Sequence, residues 1–481
     1  MTQNVDVSTP SPRMAALEKK RQLCRDLMGG TTAMIDAGEK WLPKHPGESD
    51  KNYHVRLNGN ILTNFLEQAI GKQVGKIFSK AIAIGDNVPE PIKTICENID
   101  RQGRGLDAFA MDVAKKAFTD GISYILADMP KVAGVKTLAE EKAAGIRPYA
   151  IHIEACCVLE VLSEMIGGIE TITRVRIMEC VSRPVANSWE YATVEQIRVL
   201  KRVEVQTETG PKVVVAYELH QKNEKKEWVM IEDGATTLKR IALVPIYTNR
   251  CGFMEGQPPN QAIAELNLRH WRSTSEQINA LSFQRFAMLS ATGVGVDDTI
   301  EVGPSKVLKS TNPNAKFDYV EPTGKGVEMG SKDLESIEKQ IETASAQLRI
   351  ERGGQVTATA AAIDSAEGNA GLKAVANGIK DSVEQLFMLF AEMLNLGDDA
   401  GGEVTVNTDF GQAKGTPQGL QEIVKLRANG DISRKKTLEV MKWRGEIAED
   451  FDADTNEEEL QDEGPALGMI TPKRKTEEET T

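Results

Sequence analysis

The residue groupings that could carry chemistry are few. Gly324-Lys325-Gly326 offers glycines and a lysine, as a phosphate cradle would, but a phosphate loop needs GxxxxGK followed by Ser or Thr. That spacing lets backbone N–H groups line the phosphates while the hydroxyl meets a magnesium ion, and without it a β-turn is expected. The acid pairs Asp297-Asp298 and Asp398-Asp399 could bind a hard cation, although solvated turns are the ordinary outcome. His270-Trp271 falls within a helical stretch, where a packed pair between helices is expected. Cys156 and Cys157 are adjacent and would point to opposite faces of an extended strand, which reads as packing.

None of these makes a catalytic constellation. There is no HExxH, no GxSxG and no GxGxxG after a strand. Six cysteines without a CxxC pair and five scattered histidines argue for reduced thiols and against a zinc site. The expectation is a protein with no enzymatic activity, cofactor or metal, whose partners must supply any energy from nucleotide hydrolysis.

Charge narrows the class further. Of the net −13, the segment from Glu446 to Thr481 holds −10 (13 acidic residues against Lys473, Arg474 and Lys475), so residues 1–445 carry only −3. A protein that grips phosphates shows a basic stripe whose lysines and arginines displace counterions, and none is visible. If DNA is a partner, it is one the protein lets pass. No apolar run approaches 18 residues and residues 1–13 lack a signal-peptide stretch, so neither secretion nor membrane spanning is expected.

With 481 residues, the chain should divide into about three regions. Leu17, Cys24 and Leu27 predict a first helix stopped by Gly29-Gly30, and Ser49 or Asp50 caps another. Ile61 to Phe78 is the strongest amphipathic stretch. After a helix between Leu106 and Ala117 the pattern turns to strands at 121–128, 149–154, 171–179, 196–206, 212–220, 228–232 and 241–247, with Thr209-Gly210-Pro211 and Asp233-Gly234 as turns. Asn260 to Thr292 lacks Pro and Gly and would span about 50 Å as a helix. Strand-like segments at 302–308 and 317–320 follow. Leu334, Ile337, Ile341, Ala344 and Leu348 then repeat at 3, 4, 3, 4, the narrow seam of a helix lying against a neighbour. Residues 353–371 are rich in small side chains, as in a mobile loop or a closely approached helix. A helix from Leu372 to Leu396, a β-like Glu403 to Phe410, and two short helices divided by Asn429-Gly430 precede the acidic tail.

The fold class is therefore α+β, and the order of its motifs resembles the tailed-bacteriophage portal proteins, in particular a subfamily catalogued as a phage-associated domain of unknown function. The residues that carry the likeness are Trp41 to Asp50 with Tyr53, Asp100-Arg101-Gln102-Gly103 to Phe109, Tyr124 to Pro130, Arg147-Pro148-Tyr149, Val244-Pro245-Ile246-Tyr247, and Pro258-Pro259 followed by Ala264 to Leu268. The resemblance implies a ring of twelve copies at the capsid vertex, with double-stranded DNA passing through its tunnel, in the virion and, during assembly, the host cytoplasm. Its partners would be a terminase packaging motor, a head-tail adaptor, and capsid and scaffold proteins, with no membrane. By position it implies an arm and wing over 1–259, stem helices at 260–292 and 331–352, a clip at 293–330, a tunnel-loop region at 353–371, a wing return at 372–415, a helical crown at 416–445 and the acidic tail at 446–481. Arg349, Arg352, Gln355, Thr357, Thr359 and Lys373 become candidates to face DNA, Leu334, Ile337, Ile341 and Leu348 to pack the stem, and Lys306, Lys309, Phe317 and Tyr319 to meet an adaptor at the clip. A different head-tail connector or adaptor would share the charge pattern but not the paired long helices around an insert.

Overall fold

The Ser11 hydroxyl accepts the Met14 N–H at 3.3 Å and Pro12 occupies the first helical position, which together start α1 (Pro12–Met28). The computed structural model describes residues 6–130, 145–185, 188–207, 210–236, 238–285, 288–294, 312–320, 324–346, 358–397, 400–410 and 417–443, with 447, 451, 452, 455 and 456. Two units divide the chain: 1–350 with 368–408, and 351–367 with 409–481.

The first unit is mixed α+β. After α1 come α2 (Gly30–Ala37), α3 (Asp50–Asn58), α4 (Phe65–Ile77), strand β1 (Ala83–Ile84), α5 (Glu90–Cys96) and α6 (Leu106–Asp120). Ser49 caps α3 through its hydroxyl, as expected. The amphipathic helix begins later than its pattern suggests: Asn64 accepts the Glu67 N–H and caps α4, leaving Ile61 outside the helix and exposed. Apolar spacing cannot locate a helix start when a capping side chain sits inside the run.

Gly121 ends α6 at φ +87° in a place where any Cβ would strike the backbone of Gln257, so the chain turns there only with glycine. It leads into β2 (Ile122–Asp128), the buried centre of a three-stranded antiparallel sheet between β3 (Tyr149–Ile153) and β9 (Leu243–Tyr247). Pro245 fits because β9 is an edge strand. A five-stranded antiparallel meander follows β3: β4 (Val158–Ile166), β5 (Ile169–Pro184), β6 (Tyr191–Thr207), β7 (Gly210–Lys222) and β8 (Trp228–Thr236). Arg198 on β6 reaches both Glu179 (2.7 Å) and Asp128 (3.3 Å), tying the meander to the end of β2.

Two details of the strand reading change. Val158–Ile166 is a strand that its irregular polar pattern did not reveal. Asp233-Gly234 is no turn but lies within β8, paired with Glu218 and Tyr217, because cross-strand hydrogen bonding to the long β7 outweighs the local turn preference. A small hairpin, β10 (Arg250–Gly252) with β11 (Glu255–Gly256), leads to the long helix α7 (Gln261–Arg285).

The sequence reading carries that helix to Thr292, but it ends at Arg285. Met288–Thr292 is instead strand β12, antiparallel to β13 (Lys316–Val320) in the register Met288↔Val320 to Thr292↔Lys316. Absence of Pro and Gly permits a helix without requiring one, and the β13 ladder satisfies the backbone as well. The second long helix, α8 (Lys325–Ala346), starts ahead of the expected Ser331, since Gly324 turns the chain at φ +74° and Lys325-Gly326 are helical, not a β-turn.

Helix α9 (Ala358–Met393) takes, from residue 358, the helical one of the two readings open for residues 353–371, as the alanine-rich run from Ala358 favours. From Leu372 it buries Ile379, Val383, Leu386, Phe387 and Phe390, and side chains of this size contribute about 1.5–3 kcal/mol each on full burial. Ser382 donates to the Pro245 carbonyl at 2.8 Å, and β14 (Val404–Thr405), shorter than the β-like segment foreseen, pairs with β1, so this segment returns to the N-terminal core.

The second unit contains the helices α10 (Pro417–Ala428) and α11 (Arg434–Trp443), with Ser433 capping α11 through the Lys436 N–H at 3.2 Å. The expected strand at 302–308, both acid pairs and nearly all of the acidic tail lie outside the described residues.

Candidate functional site

The candidate site is the module of two long helices and the hairpin between them. Polar residues root its first helix. Asn260 exchanges a reciprocal amide pair with Gln73 (3.0 and 2.9 Å), and Asn267 accepts the Leu66 N–H at 3.1 Å while donating to the Thr63 carbonyl at 2.9 Å. Asn60 donates to the Trp271 carbonyl at 3.0 Å, and Arg272 donates to the Trp41 carbonyl at 2.6 Å. Asn260, Asn267 and Ser275 are buried, so these bonds satisfy groups whose burial would otherwise be unfavourable. Trp271 is fully buried at the centre of this root.

Of the sequence motifs that carry the resemblance, Trp41 to Asp50 contributes to this socket, and the others order the body around it. Trp41 donates from Nε1 to Asp26 at 2.7 Å and lends its carbonyl to α7. Glu48 takes two parallel bonds from Arg56, which also donates to the Pro43 carbonyl at 2.9 Å and reaches Ser275 at 3.4 Å. Asp100 accepts the Gln102 and Arg104 N–H groups, closing a tight turn that Arg101 (φ +62°) and Gly103 (φ +91°) complete. Tyr124 donates from its hydroxyl to the Met254 carbonyl at 2.8 Å, and Tyr247 accepts the Met254 N–H at 2.8 Å.

The two long helices then lie against each other. Asp333 receives Arg269 and Ser273, both at 2.9 Å, and His270 Nε2 lies 3.3 Å from Glu338, with its other nitrogen 3.4 Å from Thr274. Phe65 meets the His270 ring edge-on at 5.1 Å. His270 is therefore packed between helices, as expected of the pair, and Trp271 beside it is fully buried. Gln277 bridges to the Val327 carbonyl (2.9 Å) and the Ser331 hydroxyl (3.1 Å), directly over Gly330, where a Cβ would collide with Gln277 Oε1.

Of the seam residues, Ile337 and Ile341 are buried and Leu334 is half-buried, while Leu348 lies outside the described residues. Burial of the two isoleucines arises within one chain. Phe317 is half-buried on β13 and Tyr319 stands on the same strand. Thr359 and Lys373 stand on α9 rather than in a loop, and Lys373 is exposed. Lys306, Lys309, Arg349, Arg352, Gln355 and Thr357 lie outside the described residues.

Sequence reasoning missed Arg56, Asn60 and Asp333, which reach Ser275, Trp271 and Arg269 far along the chain. It counted Asn267 and Gln277 as a polar surface, although uncharged amides on a long helix are also the natural partners of buried backbone. Among the described residues no group of three or more His, Cys, Asp or Glu could hold a metal, and no helix is long and apolar enough to cross a membrane.

One family model matches this module. Residues 259–394 fit a family described as a domain of unknown function, DUF4055. No curated protein matches the chain. Among solved structures, similarity is found to a chain of the neck of a native GTA particle computed with C12 symmetry, at 11% identity and a TM-score of 0.38, over 85% of this chain and 97% of that one. A chain from the virion of a native gene transfer agent particle gives 11% identity and 0.39, over 87% and 98%.

Proposed function

We propose that this chain is a phage portal protein: a structural subunit of a head-tail connector that assembles into a ring of twelve at the capsid vertex, through which double-stranded DNA is packaged and ejected. The observation that carries the reading is the α7–hairpin–α8 module, rooted by its polar side chains in a socket to which the portal-like Trp41 to Asp50 segment contributes. The α+β body holds the helix pair through residues 260–275, and the hairpin follows beyond these contacts along the chain, which suits docking of a packaging motor or tail adaptor. The chain's charge is consistent with a conduit, because strong phosphate contacts would hold DNA in place.

In this reading the protein does no chemistry of its own. Purified chain should assemble to about 630 kDa, twelve copies of 52.6 kDa, by multi-angle light scattering. A monomer at every concentration and salt would overturn the proposal.

A further inference from the structure

Cys156 and Cys157 do not pack as an extended pair would. They sit on a single 3-10 turn, Ala155–Cys157, that joins β3 to β4. The Cys157 N–H donates to the Glu154 carbonyl at 3.0 Å, and buried Ala155, Val158 and Leu159 pin the turn from both sides. The side chains turn outward: Cys156 is exposed and Cys157 half-buried, with the two Sγ atoms 3.9 Å apart. An atom about 2.3 Å from each sulfur, the usual metal–thiolate distance, fits between them.

The other thiols lack this arrangement. Burial pushes Cys24 and Cys96 up to about 12, and Cys180 and Cys251 are exposed. At the pair, the hydrogen bond with Cys157 draws the Cys156 thiol below its ordinary value, helped by Arg25 and opposed by burial, Glu154 and Asp120. The same bond, burial and the neighbouring Cys156, Glu154 and Cys180 push Cys157 up. Either sulfur can donate in this contact, and Cys156 Sγ also lies 3.8 Å from the Glu154 carboxylate, so the two thiols stand side by side at the surface of the turn.

Tetrahedral zinc would need further ligands, and the described residues gather no such group. We propose that Cys156 and Cys157 form a vicinal dithiol site for soft, thiophilic ligands satisfied by two sulfur donors, of which a monosubstituted trivalent arsenical is the simplest. With phenylarsine oxide, two S–H bonds and the arsenic–oxygen bond break and two arsenic–sulfur bonds form. Both protons leave with the oxide oxygen as one water, and nothing is oxidised or reduced. The closed ring ties the β3–β4 joint, so binding stabilises the fold.

The test uses full-length native protein with phenylarsine oxide, read by mass spectrometry and thermal melting. One equivalent should bind, raise the melting midpoint, survive a monothiol and be removed by 2,3-dimercaptopropanol. C156S and C157S should each lose this monothiol-resistant binding, and C180S should keep it. Absence of binding to the folded native chain, retention by C157S, or loss in C180S would overturn the proposal.

Discussion

Arg56 holds Glu48 with two parallel hydrogen bonds, Nε to Oε1 at 2.8 Å and Nη2 to Oε2 at 2.7 Å, with both side chains almost fully covered. The pair closes the loop from Trp41 to Asp50 and brings the guanidinium within reach of Ser275 on α7. That guanidinium holds the Glu48 carboxyl down to about 2, against an ordinary 4.5. A depressed carboxyl contributes stability that is complete above its ordinary value and lost as pH falls toward the folded value. Thermal midpoints should therefore decline between pH about 5 and pH about 2. Glu48→Gln should cost about 3 kcal/mol at neutral pH by leaving a covered arginine unpaired, and should flatten that decline. A variant with the wild-type acid profile would show that the pair does not bear on stability.

Gly330 and Gln277 give a sharper test, because two effects of similar size oppose each other. Replacing a helical glycine by alanine gains about 1 kcal/mol of propensity. Here the new Cβ would displace Gln277 and its two hydrogen bonds, each worth about 1 kcal/mol. Gly330→Ala should thus destabilise by about 1 kcal/mol in the native chain and stabilise by about 1 kcal/mol beside Gln277→Ala. Denaturant titration of the four proteins of that cycle measures it, and additivity would contradict the close approach.

Ile341 is buried between helices of its own chain, so its substitution acts on folding before assembly. Ile341→Asp should cost about 3 kcal/mol or more by burying a charge, whereas Ile341→Val should cost about 1 kcal/mol. Equal, small losses in urea titrations would mean that the seam is open.

Removal of residues 446–481 tests whether the tail is a solvated appendage. Its net −10 and lack of periodicity predict that the shortened chain keeps the same number of copies in its assembly. Loss of assembly would give the tail a structural role.

What the sequence disclosed and what it hid follow from range. Ser49, Ser433 and the 3, 4 spacing through Ile337 and Ile341 act within a turn or two of themselves, so their elements were legible. The end of α7 at Arg285 was not, because strand β12 depends on pairing with Lys316–Val320 beyond it in the chain. Asn60 and Arg272 likewise show their purpose only beside the Trp271 and Trp41 carbonyls. The helix at Ala358 lay between two open alternatives, and its alanines decided for the helix.

The central claim is a ring with a passage for DNA. Electron microscopy of the purified full-length chain tests it most directly: twelvefold rings with an open channel wide enough for a DNA duplex are predicted. Monomers, or closed particles without a channel, would contradict the account.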